Sequence, residues 1–300
     1  MKNPQKNMAP PIGRFIDPLT DFGFKRIFGS EPNKDLLIAF LNELFKGRKI
    51  IKDLVYNQQE NGGPAKHYRK TIFDLTCTGA NGETFIIEMQ RAEQHFFADR
   101  AVFYTASKLY EQGQKGQKDW NYELRAVYFI GLMDFNFDGS PPGKYLHRVR
   151  LAAEETHHAF YNKLGFIFLE LPNFNLKEPE VKTGLERWLY ILCNMKKMEK
   201  IPVFLHKQVF QKLFRISEVA NLKREDYMLY QKSLMDKWDA YSVLKTAEEK
   251  GMEKGIEKGK AQFVTNLITK FSFTDEQAAS AADVSVDFVK KVRTVLEKKK

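Results

Sequence analysis

The stretch TIFDLTCTGANGETFIIEMQR, residues 71–91, alternates apolar and polar positions on both sides of an Asn-Gly pair, and its flanks are rich in β-branched and aromatic residues. That pattern predicts a β-hairpin. A two-residue Asn81-Gly82 turn would pair Ala80 with Glu83 and set Asp74 opposite Met89, leaving Glu88 on the other face. A three-residue loop Ala80-Asn81-Gly82, with Gly82 left-handed in a type I turn plus bulge, pairs Gly79 with Glu83 and brings Asp74 opposite Glu88. Only the second register gathers Asp74, Thr76, Glu88 and Gln90 on one face and Phe73, Leu75, Ile87 and Met89 on the other, since strand side chains alternate with period two.

The flanking pattern supplies the rest of an α/β unit. Asp17-Pro18-Leu19-Thr20-Asp21 reads as a turn and cap before a short helix carrying Phe24, Ile27 and Phe28, with Asp21 and Lys25 spaced i,i+4. Leu36, Leu37, Phe40, Leu41 and Leu44 form the apolar stripe of a second helix, stopped by Gly47. A strand over 50–58 ends at Asn61-Gly62-Gly63-Pro64, and the basic run KHYRK leads into the hairpin. Residues 96–112 predict a helix that buries Phe97, Ala101, Val102, Ala106 and Leu109 and carries Arg100, Tyr104 and Lys108 along one face. A polar loop over 115–119 follows. The apolar runs 123–132 and 165–171 have the length and composition of buried strands, with a surface loop over 134–144 between them.

Beyond residue 178 the period changes to 3.6, predicting helices over 181–195, 204–216 and 224–244 as a layer packed on or following the sheet. Residues 248–260 then repeat Glu-Lys-Gly-x with period four. Each glycine costs a helix about 1 kcal/mol relative to alanine, against a few tenths returned by each charge pair, so this segment is expected to be a frayed helix or a linker. Its Gly251/Gly255/Gly259 stripe would permit close backbone approach, and with it a homo-oligomer contact through the C-terminal helical region. Three more helical stretches over 261–300, opened at the second and third by caps Thr274 and Ser285, resemble a helix-turn-helix. The last of them carries Lys290, Lys291 and Arg293.

Composition narrows the partners. In 300 residues the formal net charge is +10, which favours a polyanion such as DNA. The two cysteines, Cys77 and Cys193, are far apart and form neither a disulfide framework nor a zinc-ligand spacing. No apolar run approaches the roughly 18 residues that span a bilayer, and residues 1–11 lack a signal-peptide core. The expectation is a soluble, cytoplasmic protein without a membrane partner. Two carboxylates facing each other across neighbouring strands, about 5 Å apart at Cβ, repel when both are ionised. A divalent ion relieves that repulsion, and Mg²⁺ (or Mn²⁺) suits one or two carboxylates completed by water and phosphate oxygens.

Asp74 followed by Glu88-Met89-Gln90 resembles the D…(D/E)xK signature of the PD-(D/E)XK nuclease superfamily. The opening FIDPLTDFGFKRIF (residues 15–28), the IEMQ of 87–90 and the Glu/Lys/Gly-rich tail are similar to the Rpn group of recombination-promoting nucleases, also catalogued as transposases. The resemblance covers most of the chain and implies a restriction-endonuclease-like αβββαβ core with a mixed sheet, followed by a helical C-terminal region. The expected layout is a disordered N-terminus (1–14), a nuclease-like core (15–175), a helical extension (176–246), the Glu/Lys/Gly linker or helix (247–260) and a helix-turn-helix-like module (261–300).

The resemblance also implies roles. Asp74 and Glu88 would hold Mg²⁺, Gln90 would occupy the superfamily's lysine position, and Asp21 would be a third site carboxylate. In the family reading Arg100 and Tyr104 would hold a phosphate; from their charge and position Lys25 and Arg69 are further candidate phosphate contacts, and in the helix-turn-helix-like module Lys290, Lys291 and Arg293 would contact DNA if it is not merely a packing module. An amide orients water or phosphate but carries no charge and cannot act as a base. Three function classes therefore follow: a metal-dependent endonuclease acting in recombination or mobile-element activity, a DNA-binding module whose nuclease site has decayed, and a helical interaction protein.

Overall fold

The computed structural model describes residues 12–57, 74–92, 96–113 and 121–297. The chain divides into two compact units, residues 1–235 and 236–300. Within the first, α1 (Asp21–Phe28) and α2 (Lys34–Leu44) precede β1 (Leu54–Tyr56), β2 (Leu75–Gly79), β3 (Thr84–Gln90), α3 (Phe97–Gly113) and β4 (Val127–Met133). This is the helix, three strands, helix, strand order that the sequence predicts. β5 (Leu146–Ala152), β6 (Ala159–Glu170), α4 (Gly184–Asn194) and α5 (Gln208–Ser217) follow. The strands form one mixed sheet in the order β1-β2-β3-β4-β6-β5, with β3, β4 and β6 mutually parallel and the other pairs antiparallel. The fold is α/β, with a restriction-endonuclease-like core and a helical C-terminal region.

The hairpin takes the three-residue loop. Leu75 pairs with Ile87 and Thr78 with Thr84, the register in which Gly79 faces Glu83. The Gly79 N–H donates to the Glu83 carbonyl at 2.8 Å, and Gly82 closes the turn at φ +78°, a conformation costly for any residue with a Cβ. Leu75, Cys77, Phe85, Ile87 and Met89 enter a large core with Phe24, Phe28, Phe40, Trp188, Phe210 and Phe214, so α1, α2, α4 and α5 cover that face of the sheet. Ile86 points the other way, toward a smaller core where Phe97 and Ala101 of α3 meet Phe129, Met133, Phe166 and Phe168.

The FIDPLTDFG stretch is largely a structural knot. The Asp17 carboxylate accepts from the Leu19 N–H at 2.9 Å and from Lys196 Nζ at 3.2 Å, while the Asp17 N–H donates to the Tyr230 hydroxyl oxygen at 2.8 Å. Thr20 caps α1 by accepting from the Gly23 N–H. A Cβ at Gly23 would lie 2.1 Å from the Asp17 carbonyl oxygen, so only glycine fits there.

Several expectations change. The strand expected over 50–58 is confined to Leu54–Tyr56 among the described residues. Val102 and Ala106 of α3 are exposed; the helix is turned so that Phe97, Ala101, Thr105 and Lys108 are its buried positions. Residues 146–152, where the sequence predicts no element, form the edge strand β5, and β6 begins at Ala159 rather than near 165. Both additions lie at the wet edge, where apolar alternation is weak. The Asn-Gly-Gly-Pro breaker, the KHYRK run and the 115–119 loop lie outside the described residues.

The Glu-Lys-Gly repeat is helical, inside the single helix α6 (Arg224–Phe271). Helix already formed on both sides makes propagation through the glycines easier than nucleation within them. In the second unit, α7 (Asp275–Ala282) and α8 (Val286–Glu297) pack with the end of α6 through Val264, Leu267, Ala278, Ala282 and Val289. Thr274 and Ser285 cap the two helices as the sequence predicts, accepting from the Gln277 and Phe288 N–H groups at 3.3 and 3.2 Å. No described helix is long and apolar enough to cross a membrane.

Candidate functional site

The hairpin register and the start of α3 together build the site. Asp74 stands immediately before β2, at the position opposite Glu88 when the ladder is extended by one pair. Two hydrogen bonds tie Asp74 to β3: the Met89 N–H donates to Asp74 Oδ2 at 2.7 Å, and the Asp74 N–H donates to Glu88 Oε1 at 3.2 Å. Gln90, one alternation beyond Glu88, donates from Nε2 to Glu88 Oε2 at 3.1 Å. Across the α3 side, an Arg100 guanidinium nitrogen lies 3.0 Å from the same Oε2. Its carbon sits 5.6 Å from the Phe97 ring centre and 5.5 Å from that of Tyr104, so cation–π contacts hold the guanidinium over the carboxylate.

The electrostatics are those of crowded acids. Glu88 is 3% exposed. Burial, reinforced by the charge of Asp74, pushes its carboxyl up to about 7, against the opposing pull of Arg100, the Asp74 N–H and Gln90. Burial also raises the Asp74 carboxyl above its usual range; the Met89 N–H opposes this, Asp21 adds to it, and Lys25 and Arg100 oppose it. Tyr104 is raised too, first by burial, with Glu88 and Asp74 adding and Arg100 opposing. Removing water from a carboxylate penalises its charged form, and a second carboxylate nearby compounds the penalty.

The sequence-predicted residues fall into four sets. Asp74, Glu88, Gln90, Arg100 and Tyr104 converge. Asp21 and Lys25 form the expected i,i+4 ion pair at 2.9 Å on α1, close enough for both to act on the Asp74 charge. Arg69 lies outside the described residues. In the other unit Lys290 and Lys291 are exposed on α8, whereas Arg293 is turned toward α7, its guanidinium 2.8 Å from Asp275.

Hard oxygen donors are what this set offers. Among the described residues no three His, Cys, Asp or Glu side chains form a preformed metal cage. A divalent ion here would be held by Asp74 and Glu88, with water and phosphate completing its shell, a mode that suits Mg²⁺ or Mn²⁺. The raised carboxyl of Glu88 fits such a group, since an added cation lowers the cost of ionising both acids. Sequence reasoning missed the Met89 main-chain donor, which no side-chain pattern encodes. It also missed the buried Glu170 at the end of β6, which accepts from Ser140, Asn173 and the Phe137 N–H and lies 3.1 Å from His147. A lone charge ending the apolar run GFIFLEL was the available signal.

A family model described as PD-(D/E)XK nuclease family transposase matches residues 18–247, a span that includes the hairpin, α3 and most of the large core. Neither the curated proteins nor the solved structures contain a significant match to the chain.

Proposed function

We propose, from the premise that the chain belongs to the PD-(D/E)XK nuclease family transposases, that it is a metal-dependent DNA endonuclease acting in recombination or mobile-element activity. The observation that carries this reading is the joined carboxylate pair, Asp74 and Glu88, on one sheet face beneath Arg100. Asp74 and Glu88 would hold Mg²⁺ or Mn²⁺, which would supply Lewis-acid stabilisation of the charge growing on the phosphate and activation of the attacking water.

The chain's own groups hold and aim. The Met89 N–H fixes Asp74 Oδ2, so the aspartate is oriented by the sheet backbone. Gln90 steadies Glu88 in the absence of substrate, and its amide can turn to a water or a scissile phosphate oxygen, a role that needs hydrogen bonds and no charge. Arg100 occupies the cation's electrostatic place beside Glu88; once the acids are neutralised otherwise, its remaining donors suit a phosphate oxygen. Asp21 and Lys25 tune the charge at Asp74 from α1, and the raised Tyr104 phenol stays protonated as a donor at neutral pH. Lys290 and Lys291 are candidate backbone contacts, adding affinity that falls with salt.

The test incubates plasmid DNA with the protein and Mg²⁺, Mn²⁺, Ca²⁺ or EDTA, beside an Asp74→Ala control. Nicking that requires Mg²⁺ or Mn²⁺ and disappears in the control is the expected result. Gln90 in the superfamily's lysine position favours a second reading, a DNA-binding protein with a decayed site. It predicts salt-sensitive binding without metal-dependent cleavage.

A further inference from the structure

On the sheet face opposite the carboxylates, a cavity of about 690 Å³ is lined by Phe45, Arg48, Tyr128, Arg148, Arg150 and Tyr161 among others. The cations reach it from distant parts of the chain. Arg48 follows Gly47 after the end of α2, and Arg148 and Arg150 project from β5, where they pair with Ile167 and Gly165 of β6. Arg148 is anchored by donating to the Leu44 carbonyl at 3.0 Å, and Arg150 by donating to the His157 carbonyl at 3.1 Å. Among the described residues no carboxylate pairs with Arg48, Arg148 or Arg150. Lys49, which also lines the cavity, is neutralised by Glu83 at 3.0 Å.

Arg48, Arg148 and Arg150 are exposed to solvent, so water screens much of their repulsion, but among the described residues no carboxylate neutralises them. Burial and the neighbouring Arg48 charge both press the Arg148 guanidinium below its ordinary range. An anion bound among them would supply the missing counter-charge, and planar guanidinium groups match phosphate oxygens in pairs. The space exceeds a bare phosphate and falls in the size range of small-molecule sites, and its walls are partly aromatic. Phosphate next to an aromatic wall is the chemistry that recognises a nucleotide.

We propose that this cavity is a second, metal-independent site for a phosphate-bearing nucleotide, in which Arg48, Arg148 and Arg150 hold the phosphate and the tyrosine-lined wall receives the base. It is separate from the Asp74/Glu88 site: Tyr128 packs against the large core, whereas Glu88 faces α3. The nucleotide's source is either a free mononucleotide or a unit of a DNA strand, and the two share the same contacts.

The experiment measures binding in EDTA, so that the carboxylate site does not contribute through metal, using the full chain with inorganic phosphate, deoxyadenosine monophosphate, a 5′-phosphorylated single-stranded oligonucleotide and poly-glutamate as probes. Arg48→Gln and Arg150→Gln should each weaken nucleotide or strand binding by about tenfold, the worth of one charge-assisted hydrogen bond. Arg48 makes no side-chain hydrogen bond among the described residues, so its variant keeps the fold even if Arg148→Gln does not. Binding of the mononucleotide identifies a free ligand as the source; binding of the strand alone identifies DNA. Either, lost with the arginines, supports the proposal. Affinity unchanged in both variants, no binding of either nucleotide probe, or arginine-dependent binding of poly-glutamate alone would overturn it. A failure of metal-dependent plasmid cleavage has no bearing on these outcomes.

Discussion

Glu88→Gln should stabilise the protein in the absence of metal, although it removes a hydrogen-bonded residue from the middle of a sheet. The wild-type carboxyl is raised from 4.5 to about 7, so the folded state binds its proton more tightly than the unfolded state does. Stability contributed by the protonated form is therefore complete below about pH 4.5 and is lost as pH rises toward 7. At pH 8.5 the full gap costs about 3 kcal/mol, and at pH 5.5 only about 1 kcal/mol. Glutamine keeps the shape and stays neutral, so the variant escapes that cost. Arg100, with a quarter of its side chain exposed and two aromatic rings beneath it, is not stranded as a buried unpaired cation by the change. The assay is urea denaturation in EDTA at several pH values, comparing the two proteins. The variant should gain on the wild type by about 2 kcal/mol between pH 5.5 and 8.5. A stability difference that is constant with pH, or a variant that loses ground as pH rises, would show that Glu88 is not held under electrostatic tension and would remove the argument for a cation at this position.

Asp74→Ala should abolish metal-dependent nicking, whereas Gln90→Ala should raise its barrier by roughly 2–3 kcal/mol, the worth of one oriented donor, and Gln90→Lys should retain it; single-turnover cleavage rates give the order. Arg100→Gln removes the main charge that pulls Glu88 down, so the acid limb of the cleavage pH profile should move upward relative to wild type. Gly131 pairs with Glu88 across β3 and β4, and a Cβ there would meet Phe168 at 3.1 Å and Phe97 at 3.2 Å. Gly131→Ala should accordingly cost about 1–3 kcal/mol in urea denaturation by overpacking. Lys290→Gln with Lys291→Gln should weaken duplex binding at low salt and flatten its dependence on salt, read by anisotropy titrations.

Much of this protein is determined locally and is therefore legible in its sequence. Period-two alternation and a glycine able to take positive φ fix the hairpin, and that register alone sets Asp74 opposite Glu88. Thr20, Thr274 and Ser285 mark helix starts because capping is a contact within one turn. The FIDPLTDFGF stretch was readable as a motif, but its meaning was not: Asp17 is held by Lys196 and Tyr230, some two hundred residues away.

Tertiary structure decided whatever depends on two distant segments meeting. The rotation of α3, which buries Thr105 instead of Val102 and aims Arg100 at Glu88, follows from how a helix with apolar residues on more than one side settles on its sheet. The alignment of α4 and α5 with α1 and α2 in one core follows from Trp188, Phe210 and Phe214 finding Phe28 and Phe40. The union of Arg48 with Arg148 and Arg150 required β5, an edge strand wet on much of its surface and so almost silent in hydrophobic periodicity. Periodicity reports which face of an element is apolar, whereas the partner of that face is chosen only when the chain closes on itself.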